Sequence, residues 1–312
     1  MDISENQNVI DSVDARTKLA GSNKLEVLLF SLGTNEIFGI NVFKVREVTK
    51  TPPITKTPNM PTGVEGLISL RGNVIPVISL ARFMGVAEGA SSCSTMMVTE
   101  YSRHTQGFLV HDVDRIIRVE WDRVKAPETM LAGGDALITA IIELPDERLV
   151  SILDVEQILV NAFGETMVPA ISPIQHRDEQ STMFFVDDST VARKEIVQVL
   201  DKLGVKYHQA TNGLEAWNKL DAMAGRTVND DSPLHNHLKL ILVDAEMPEM
   251  DGYVLTKKIK SDRRFEGIPV VMHSSLSSEA NRAMGKSVGV DAYVAKFDPS
   301  MLAETLRPLL QR

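Results

Sequence analysis

From residue 182 onward, short strand-like runs alternate with longer stretches whose apolar residues recur every three or four positions. The strand-like runs are TMFFVD, VKYHQA, LKLILVD, IPVVMHS and DAYVAK. Five strands that alternate with five helices predict a doubly wound α/β domain with a five-stranded parallel sheet over residues 182–312. We expect its first two helices to end at Gly204 and Gly225, because glycine readily adopts the left-handed conformation that ends a helix.

The preceding part of the chain has a different rhythm. Residues 24–162 contain about ten short β-rich runs, separated by turn residues such as Gly72-Asn73 and Gly133-Gly134. This pattern favours an all-β domain built as one barrel or as two small barrels. Residues 163–181 have no clear period and contain prolines, which is typical of a linker. Residues 1–23 are polar and acidic, and we expect a flexible N-terminal segment there.

Composition narrows the classes of partner and the compartment. The formal net charge is −9, which argues against nucleic acid, because binding to nucleic acid depends on clustered Lys and Arg. The single cysteine, Cys93, cannot form a disulfide within the chain, and this favours a reducing compartment. Neither a signal peptide nor an apolar run of about 20 residues is present, so we expect a cytoplasmic protein without direct membrane insertion.

Charged residues follow the predicted parallel strands at the points where the strands end. Asp187 and Asp188 follow the first strand, Asp244 ends the third, Ser274 ends the fourth and Lys296 ends the fifth. The carboxyl ends of parallel strands lie at one edge of the sheet, where such domains bind ligands. Converging carboxylates favour Mg²⁺, and a carboxylate beside the metal can attack phosphorus to form an aspartyl phosphate. A single aspartate here would more often be a helix cap, but five such residues together favour a site.

The region from about 182 to 310 resembles the receiver domain of bacterial two-component response regulators. The resemblance rests on the DD pair at 187–188, VDAEMPEMDG at 243–252, the serine at 274 and the lysine at 296. It implies that Asp244 is the phosphoacceptor and that Ser274 and Lys296 assist it.

The same resemblance implies a metal site and a switch. Mg²⁺ would be held by Asp187, Asp188 and Asp244 together with the backbone carbonyl of Glu246. Tyr293 matches the aromatic residue that turns inward when the serine engages the phosphoryl group, so Ser274 and Tyr293 would form the switch.

The chain departs from the receiver pattern after the lysine. Receivers usually have Lys-Pro there with a cis peptide bond, whereas this chain has Lys296-Phe297. A cis bond before a residue other than proline costs about 2.5–4 kcal/mol. We therefore expect a trans bond and a differently directed Lys296.

The β-rich half resembles CheW-type chemotaxis coupling proteins over residues 24–162. GLISLRGNVIPVISLARFMG at 66–85 and FGINVFKVREV at 38–48 carry the resemblance. It implies two small SH3-like barrels that bind the cytoplasmic tips of methyl-accepting chemoreceptors and the histidine kinase CheA. By position, Val45, Glu47 and Arg71 would contact these partners. Arg71 precedes a Gly-Asn pair, which would display its guanidinium group at the end of a hairpin.

A coupling domain followed by a receiver is the arrangement of CheV-type proteins. It implies a chemotaxis adaptor, recruited to receptor arrays, that is regulated by phosphorylation at Asp244 or acts as a phosphate sink, and that is not a turnover enzyme. One alternative is a Mg²⁺-dependent phosphohydrolase with Asp187 as nucleophile. Haloacid-dehalogenase-type enzymes of that kind have a second acid two residues later, where this chain has Ser189. The second alternative is a phosphate-independent pseudo-receiver in which Lys296 is misdirected.

Overall fold

The computed structural model describes residues 24–86, 94–101, 104–125, 137–164, 168–174, 182–227, 233–275 and 279–311. The predictions for residues 1–23 and for Cys93 lie outside these ranges. The chain divides into two compact units, with the division near residue 165. None of the helices within the described ranges has the length and apolar character needed to cross a membrane.

The first unit consists of two β-sheets, which fits the predicted all-β domain. The six-stranded sheet has the order β8-β1-β2-β11-β10-β9 and the five-stranded sheet the order β3-β6-β7-β5-β4. The strands are β1 (Lys24–Ser31), β2 (Ile37–Asn41), β3 (Val45–Lys50), β4 (Val64–Leu70), β5 (Asn73–Ser79), β6 (Thr95–Tyr101), β7 (His104–Val110), β8 (Asp112–Glu120), β9 (Val124–Lys125), β10 (Ile138–Glu143) and β11 (Leu149–Leu153). Most neighbours are antiparallel, while β2–β11 and β5–β7 are parallel.

Two helices complete the first unit, α1 (Leu80–Phe83) and α2 (Val155–Phe163). The sequence pattern does not predict α2, because a single residue, Asp154, separates its apolar start from the apolar run of β11. A capping signal was nevertheless present: the Asp154 side chain accepts a hydrogen bond from the Gln157 backbone N–H at 2.9 Å. Ile158 and Leu159 of α2 are buried in the same apolar core as strands β1 and β2.

The second unit contains the predicted five-stranded parallel sheet, in the order β13-β12-β14-β15-β16. The strands are β12 (Thr182–Val186), β13 (Lys206–Ala210), β14 (Leu238–Asp244), β15 (Val270–Ser274) and β16 (Ala292–Ala295). Every neighbouring pair is parallel, so all five strands end at the same edge. Strand β14 is buried on both faces and reads as an almost continuous apolar run.

Helices flank this sheet in alternation with the strands. They are α3 (Thr190–Leu203), α4 (Gly213–Thr227), α5 (Gly252–Ser261), α6 (Glu279–Ser287) and α7 (Pro299–Leu310). Gly204 ends α3 in the left-handed conformation with φ of 73°, as predicted. The prediction for Gly225 was wrong, because α4 continues through it to Thr227. Gly225 is exposed with open space at its Cβ position, so it remains helical and only lowers the helix propensity there.

Residues 168–174, which we call the strap, lie inside the predicted linker but pack against the second unit. Val168, Ile171 and Ile174 are partly buried against the apolar core beneath α3 and α7. Their spacing of three residues suits an extended proline-containing segment. The strap carbonyls accept hydrogen bonds from both helices: Lys202 Nζ donates to Val168 at 2.6 Å, and Arg307 Nη2 donates to Ser172 at 2.5 Å.

Trp217 of α4 contacts Phe265, which lies in a short turn after α5, and Lys258 of α5 itself. The ring centroids of Trp217 on α4 and Phe265 are 6.1 Å apart with an interplanar angle of 46°. The Nζ atom of Lys258 on α5 lies 4.3 Å from the centroid of the Trp217 ring, which is cation–π geometry. The cation–π contact therefore joins α4 to α5, while the aromatic contact joins α4 to the turn that follows α5.

Candidate functional site

The carboxyl edge of the parallel sheet brings together the five residues that follow or end its strands. Asp244 is the last residue of β14 and Ser274 the last residue of β15, while Lys296 follows β16 directly. Asp187 and Asp188 follow β12. All except Asp188 are buried, and Asp188 is partly exposed. The parallel arrangement therefore concentrates charge in a pocket that excludes most water.

Lys296 is the counter-ion of the two buried aspartates. Its Nζ atom donates a hydrogen bond to Asp244 Oδ2 at 2.8 Å and to Asp187 Oδ1 at 3.0 Å. The lysine is 5% exposed, so these are buried ion pairs whose charges interact strongly. It reaches both carboxylates although Phe297 follows it.

Phe297 adopts an unusual backbone conformation. No cis peptide bond occurs in the described chain, so the Lys296–Phe297 bond is trans, as predicted. Phe297 has φ of 64°, which is uncommon for a bulky residue, and its ring is buried. The burial of the ring offsets the strain of the left-handed conformation. Proline cannot take this conformation because its ring fixes φ near −65°.

The pocket shifts the pKa values of the two buried aspartates in opposite directions. Burial, and then the charge of Asp187, raise the pKa of the Asp244 carboxyl well above its usual range. Burial also acts to raise the pKa of Asp187, but the ammonium group of Lys296 and the ring of His273 outweigh it and lower this pKa. His273 Nδ1 lies 3.6 Å from Asp187 Oδ2. Asp244 therefore retains its proton to higher pH than Asp187 does.

The loop after β12 is fixed by hydrogen bonds from the start of α3. The Ser189 backbone N–H donates to Asp187 Oδ1 at 3.0 Å, and Ser189 Oγ caps the helix by accepting from the Ala192 backbone N–H. Because Ser189 is the cap, Asp188 is not needed for that role. Arg193 Nη1 donates to the backbone carbonyls of Asp187 and Asp188 at 2.9 and 2.8 Å. Arg193 thereby holds the aspartate pair in place.

The loop after β14 is held by a close backbone approach. The Glu246 backbone N–H donates to Asp244 Oδ1 at 3.3 Å, and the Gly252 backbone N–H donates to the Ala245 carbonyl at 3.0 Å. A Cβ atom on Gly252 would overlap the Asp244 carbonyl oxygen, so only glycine fits there. Asp251 caps α5 by accepting from the Val254 backbone N–H at 2.7 Å. The sequence DG at 251–252 is thus explained by the turn that positions Asp244.

The acidic residues fit a divalent cation. Asp187, Asp188 and Asp244 each offer one carboxylate oxygen, and these three oxygens lie within 4.8 Å of one another. Oxygen ligands of this charge are those that Mg²⁺ prefers. The contribution of the Glu246 carbonyl remains a prediction.

Ser274 and Tyr293 lie together on neighbouring strands. Ser274 is fully buried, and its hydroxyl group interacts with that of the partly buried Tyr293. Burial raises the pKa of Tyr293 to about 12, so this phenol is neutral. The Tyr293 ring also lies beneath Arg282 of α6, at 5.6 Å from the guanidinium carbon to the ring centroid.

In the first unit, the three residues predicted to contact partners have different environments. Arg71 and Gly72 form the turn between β4 and β5, with φ values of 49° and 84°, and the Arg71 side chain is 77% exposed, as a hairpin end requires. Arg71 Nη2 lies 2.5 Å from Glu47 Oε2. Val45 is buried in the core, so its side chain packs the domain. The structure brings Glu47 and Arg71 together and leaves Val45 below the surface.

The sequence pattern does not single out the residues that support the site. Arg193 and His273 lie in plain helix and strand patterns, and Tyr253 looks like an ordinary apolar position of α5. Only the distance of Arg193 along α3 from the aspartate pair could have suggested its role, since an arginine one turn into a helix can reach back to the preceding loop.

Comparison with known proteins gives the same two-part division. Residues 26–163 match the CheW-like domain family, and residues 183–307 match the response regulator receiver domain family. The chain is 34% identical over 282 residues to the chemotaxis protein CheV3 of Helicobacter pylori, covering 88% of this chain and 89% of that protein. It is 28% identical to CheV1 of the same organism, covering 96% and 97%. The receiver part is 37% identical to the CheY1 protein of that organism, covering 41% of this chain and 95% of CheY1.

Fold, site and matches together define a signalling protein in which a CheW-like β domain precedes a receiver with a CheY-like parallel sheet. More particularly, the chain belongs to the CheV family of chemotaxis proteins, which makes it a coupling adaptor with a phospho-accepting receiver domain.

Proposed function

We propose that this protein docks on chemoreceptors and on the histidine kinase CheA through its first unit, in the cytoplasm, and accepts a phosphoryl group from CheA at Asp244. The observation that carries the proposal is the buried contact of 2.8 Å between Lys296 and Asp244 at the carboxyl edge of the sheet. A buried nucleophile with a fixed cation beside it is suited to phosphoryl transfer, which depends on positioning and charge neutralisation.

In the proposed transfer, a carboxylate oxygen of Asp244 forms a bond to phosphorus while the bond from phosphorus to the imidazole nitrogen of the donor breaks. Lys296 neutralises the charge on the phosphoryl oxygens, and Ser274 donates a hydrogen bond to one of them. Asp187 and Asp188 would hold Mg²⁺, which would supply additional charge neutralisation when bound. Glu246 keeps one oxygen of Asp244 oriented through its backbone N–H.

The two alternative functions receive less support from the same geometry. A haloacid-dehalogenase-type enzyme with Asp187 as nucleophile would need a second acid two residues later, but that position is Ser189, whose side chain caps α3. A pseudo-receiver would need a misdirected lysine, whereas Lys296 contacts Asp244. We therefore propose a phosphorylated adaptor that shows almost no multiple turnover on phosphate esters.

The phosphoacceptor is tested by transfer from phosphorylated CheA in the presence of Mg²⁺. We expect rapid labelling of the wild-type protein and a loss of at least about a hundredfold in Asp244→Asn, because the nucleophile is removed. Asp201→Asn, which changes an exposed aspartate of α3, is the matched control and should be labelled normally. Labelling of Asp244→Asn at the wild-type rate would refute the proposal.

A further inference from the structure

A second tyrosine lies behind the Ser274–Tyr293 pair. Tyr253 is the second residue of α5 and is only 4% exposed. It packs with Ala245, which follows the phosphoacceptor, with Met272 of β15 and with Tyr293 itself. The phenol of Tyr253 therefore occupies the core between the phosphoacceptor loop and the switch residues.

The three hydroxyl groups form a row that leads away from the site. The Tyr293 hydroxyl interacts with those of both Ser274 and Tyr253. The contact with Tyr253 is the looser one, because the buried Tyr253 oxygen has no well-formed hydrogen bond to any of the described residues. Burial raises the pKa of both phenols, so each can donate as a neutral hydroxyl group.

This row has a consequence if Ser274 binds the phosphoryl group, as the proposed function requires. A serine hydroxyl has one hydrogen to donate, and donating it to a phosphoryl oxygen weakens its interaction with Tyr293. A buried hydroxyl group left without a partner is unfavourable, so the inward Tyr293 needs another partner. The Tyr253 hydroxyl already lies beside it.

We propose that Tyr253 is a positioning residue. Its hydroxyl group becomes the hydrogen-bond partner of the Tyr293 hydroxyl when Ser274 turns to the phosphoryl group. The exchange of partners keeps Tyr293 inward and links the start of α5 to strand β16. Tyr253 touches neither phosphate nor metal in this scheme, and it acts only through Tyr293.

The inference rests on the proposed function and is tested with beryllofluoride and Mg²⁺, which mimic the phosphoryl group. The chain contains four tyrosines, so tyrosine-selective isotope labelling gives an NMR spectrum in which Tyr293 can be followed individually. In the wild-type protein we expect one inward Tyr293 signal in the presence of the mimic. In Tyr253→Phe we expect Tyr293 to exchange between inward and outward positions and the apparent affinity for beryllofluoride to fall by about tenfold, since one hydrogen bond of about 1.4 kcal/mol corresponds to that factor.

The matched control is Tyr207→Phe. Tyr207 is partly buried on β13 and packs against Phe185, with ring centroids 5.5 Å apart, so it also loses one phenol oxygen but is not part of the Ser274–Tyr293–Tyr253 row. Tyr207→Phe should leave both the Tyr293 NMR signal and the affinity for beryllofluoride unchanged. A spectrum of Tyr253→Phe that matches the wild type in the presence of the mimic would overturn the inference.

Ser274→Ala provides a second test that does not depend on Tyr253→Phe being well folded. This variant removes the serine partner without any mimic, so the Tyr253 and Tyr293 hydroxyl groups should form their bond in the unliganded protein and their hydroxyl protons should exchange slowly. Rapid hydroxyl exchange in Ser274→Ala would contradict the partner exchange. Failure of the wild-type protein to respond to beryllofluoride would instead refute the proposed function.

Discussion

Asp244 and Asp187 share one cation but bind protons differently. Burial and the neighbouring negative charge raise the pKa of Asp244, whereas Lys296 and His273 lower that of Asp187. A carboxyl whose pKa is raised by folding binds more protons in the native than in the unfolded state. Its contribution to stability is therefore present at low pH and is lost as the pH rises through the raised pKa.

This difference predicts the pH dependence of Mg²⁺ binding. Asp244 must lose its proton before it can bind a metal, so the affinity for Mg²⁺ should rise with pH, by up to about tenfold per unit below the raised pKa. Titration calorimetry in buffers of different ionisation enthalpy should detect the released proton. In Asp244→Asn this proton should be absent, and an affinity that is independent of pH in the wild type would contradict the prediction.

The residues of the site were predictable to different degrees. Asp187, Asp244 and Lys296 could be placed together because parallel strands end at one edge, so position along the chain fixes position in space. Arg193 and Tyr253 could not, since their roles depend on the direction in which a side chain leaves a helix. The left-handed Phe297 was also unpredictable, because the burial of its ring decides the backbone conformation.

At the scale of elements, the strands of the second unit agree closely with those that its sequence predicts. The structure departs from the prediction at α2 and at the strap, near the junction of the two units. Strand and helix periods differ clearly in a doubly wound sheet, so all five strands were found. The sequence pattern does not separate helix α2 from β11, because only Asp154 lies between the two apolar runs. The sequence pattern predicts a linker at the strap, because an extended segment without backbone pairing has no recognisable period until its partner helices are known.

We propose that the strap is a structural part of the receiver, which predicts that its apolar contacts stabilise α7. Ile171→Ala should lower the free energy of unfolding of the second unit by about 1–2 kcal/mol, since a partly buried isoleucine loses a fraction of the 2–5 kcal/mol measured for full burial. Hydrogen–deuterium exchange should become faster in α7. Leu149→Ala, at a 59% exposed position of β11, is the control and should change stability by less than about 0.5 kcal/mol. If hydrogen–deuterium exchange in α7 is unchanged in Ile171→Ala, the strap only connects the two units and does not stabilise the second.

At the scale of the whole molecule, two compact units, each with its own apolar core, predict two unfolding transitions. If Mg²⁺ binds to the three aspartates of the folded second unit, it should raise the midpoint of one transition and leave the other unchanged. The stabilisation should approach about 2.7 kcal/mol at a Mg²⁺ concentration one hundred times the dissociation constant. Differential scanning calorimetry of the full chain measures both transitions.

Asp188→Asn is the control for this calorimetric experiment, because it removes a proposed ligand at the most exposed position of the cluster. Its second transition should respond to Mg²⁺ only weakly. A wild-type protein in which both midpoints rise together would show that the two units unfold as one cooperative structure.

The contact between Lys258 and Trp217 also has an optical consequence. The second unit contains Trp217 and the first contains Trp121, and the chain has no other tryptophan. An ammonium group 4.3 Å from an indole ring alters the energy of its excited state, so the emission of Trp217 depends on where Lys258 lies. Lys258 belongs to α5, the helix that starts directly after the loop that follows Asp244. The receiver therefore carries an intrinsic fluorophore, and a shift of α5 should change the tryptophan fluorescence of the unlabelled protein.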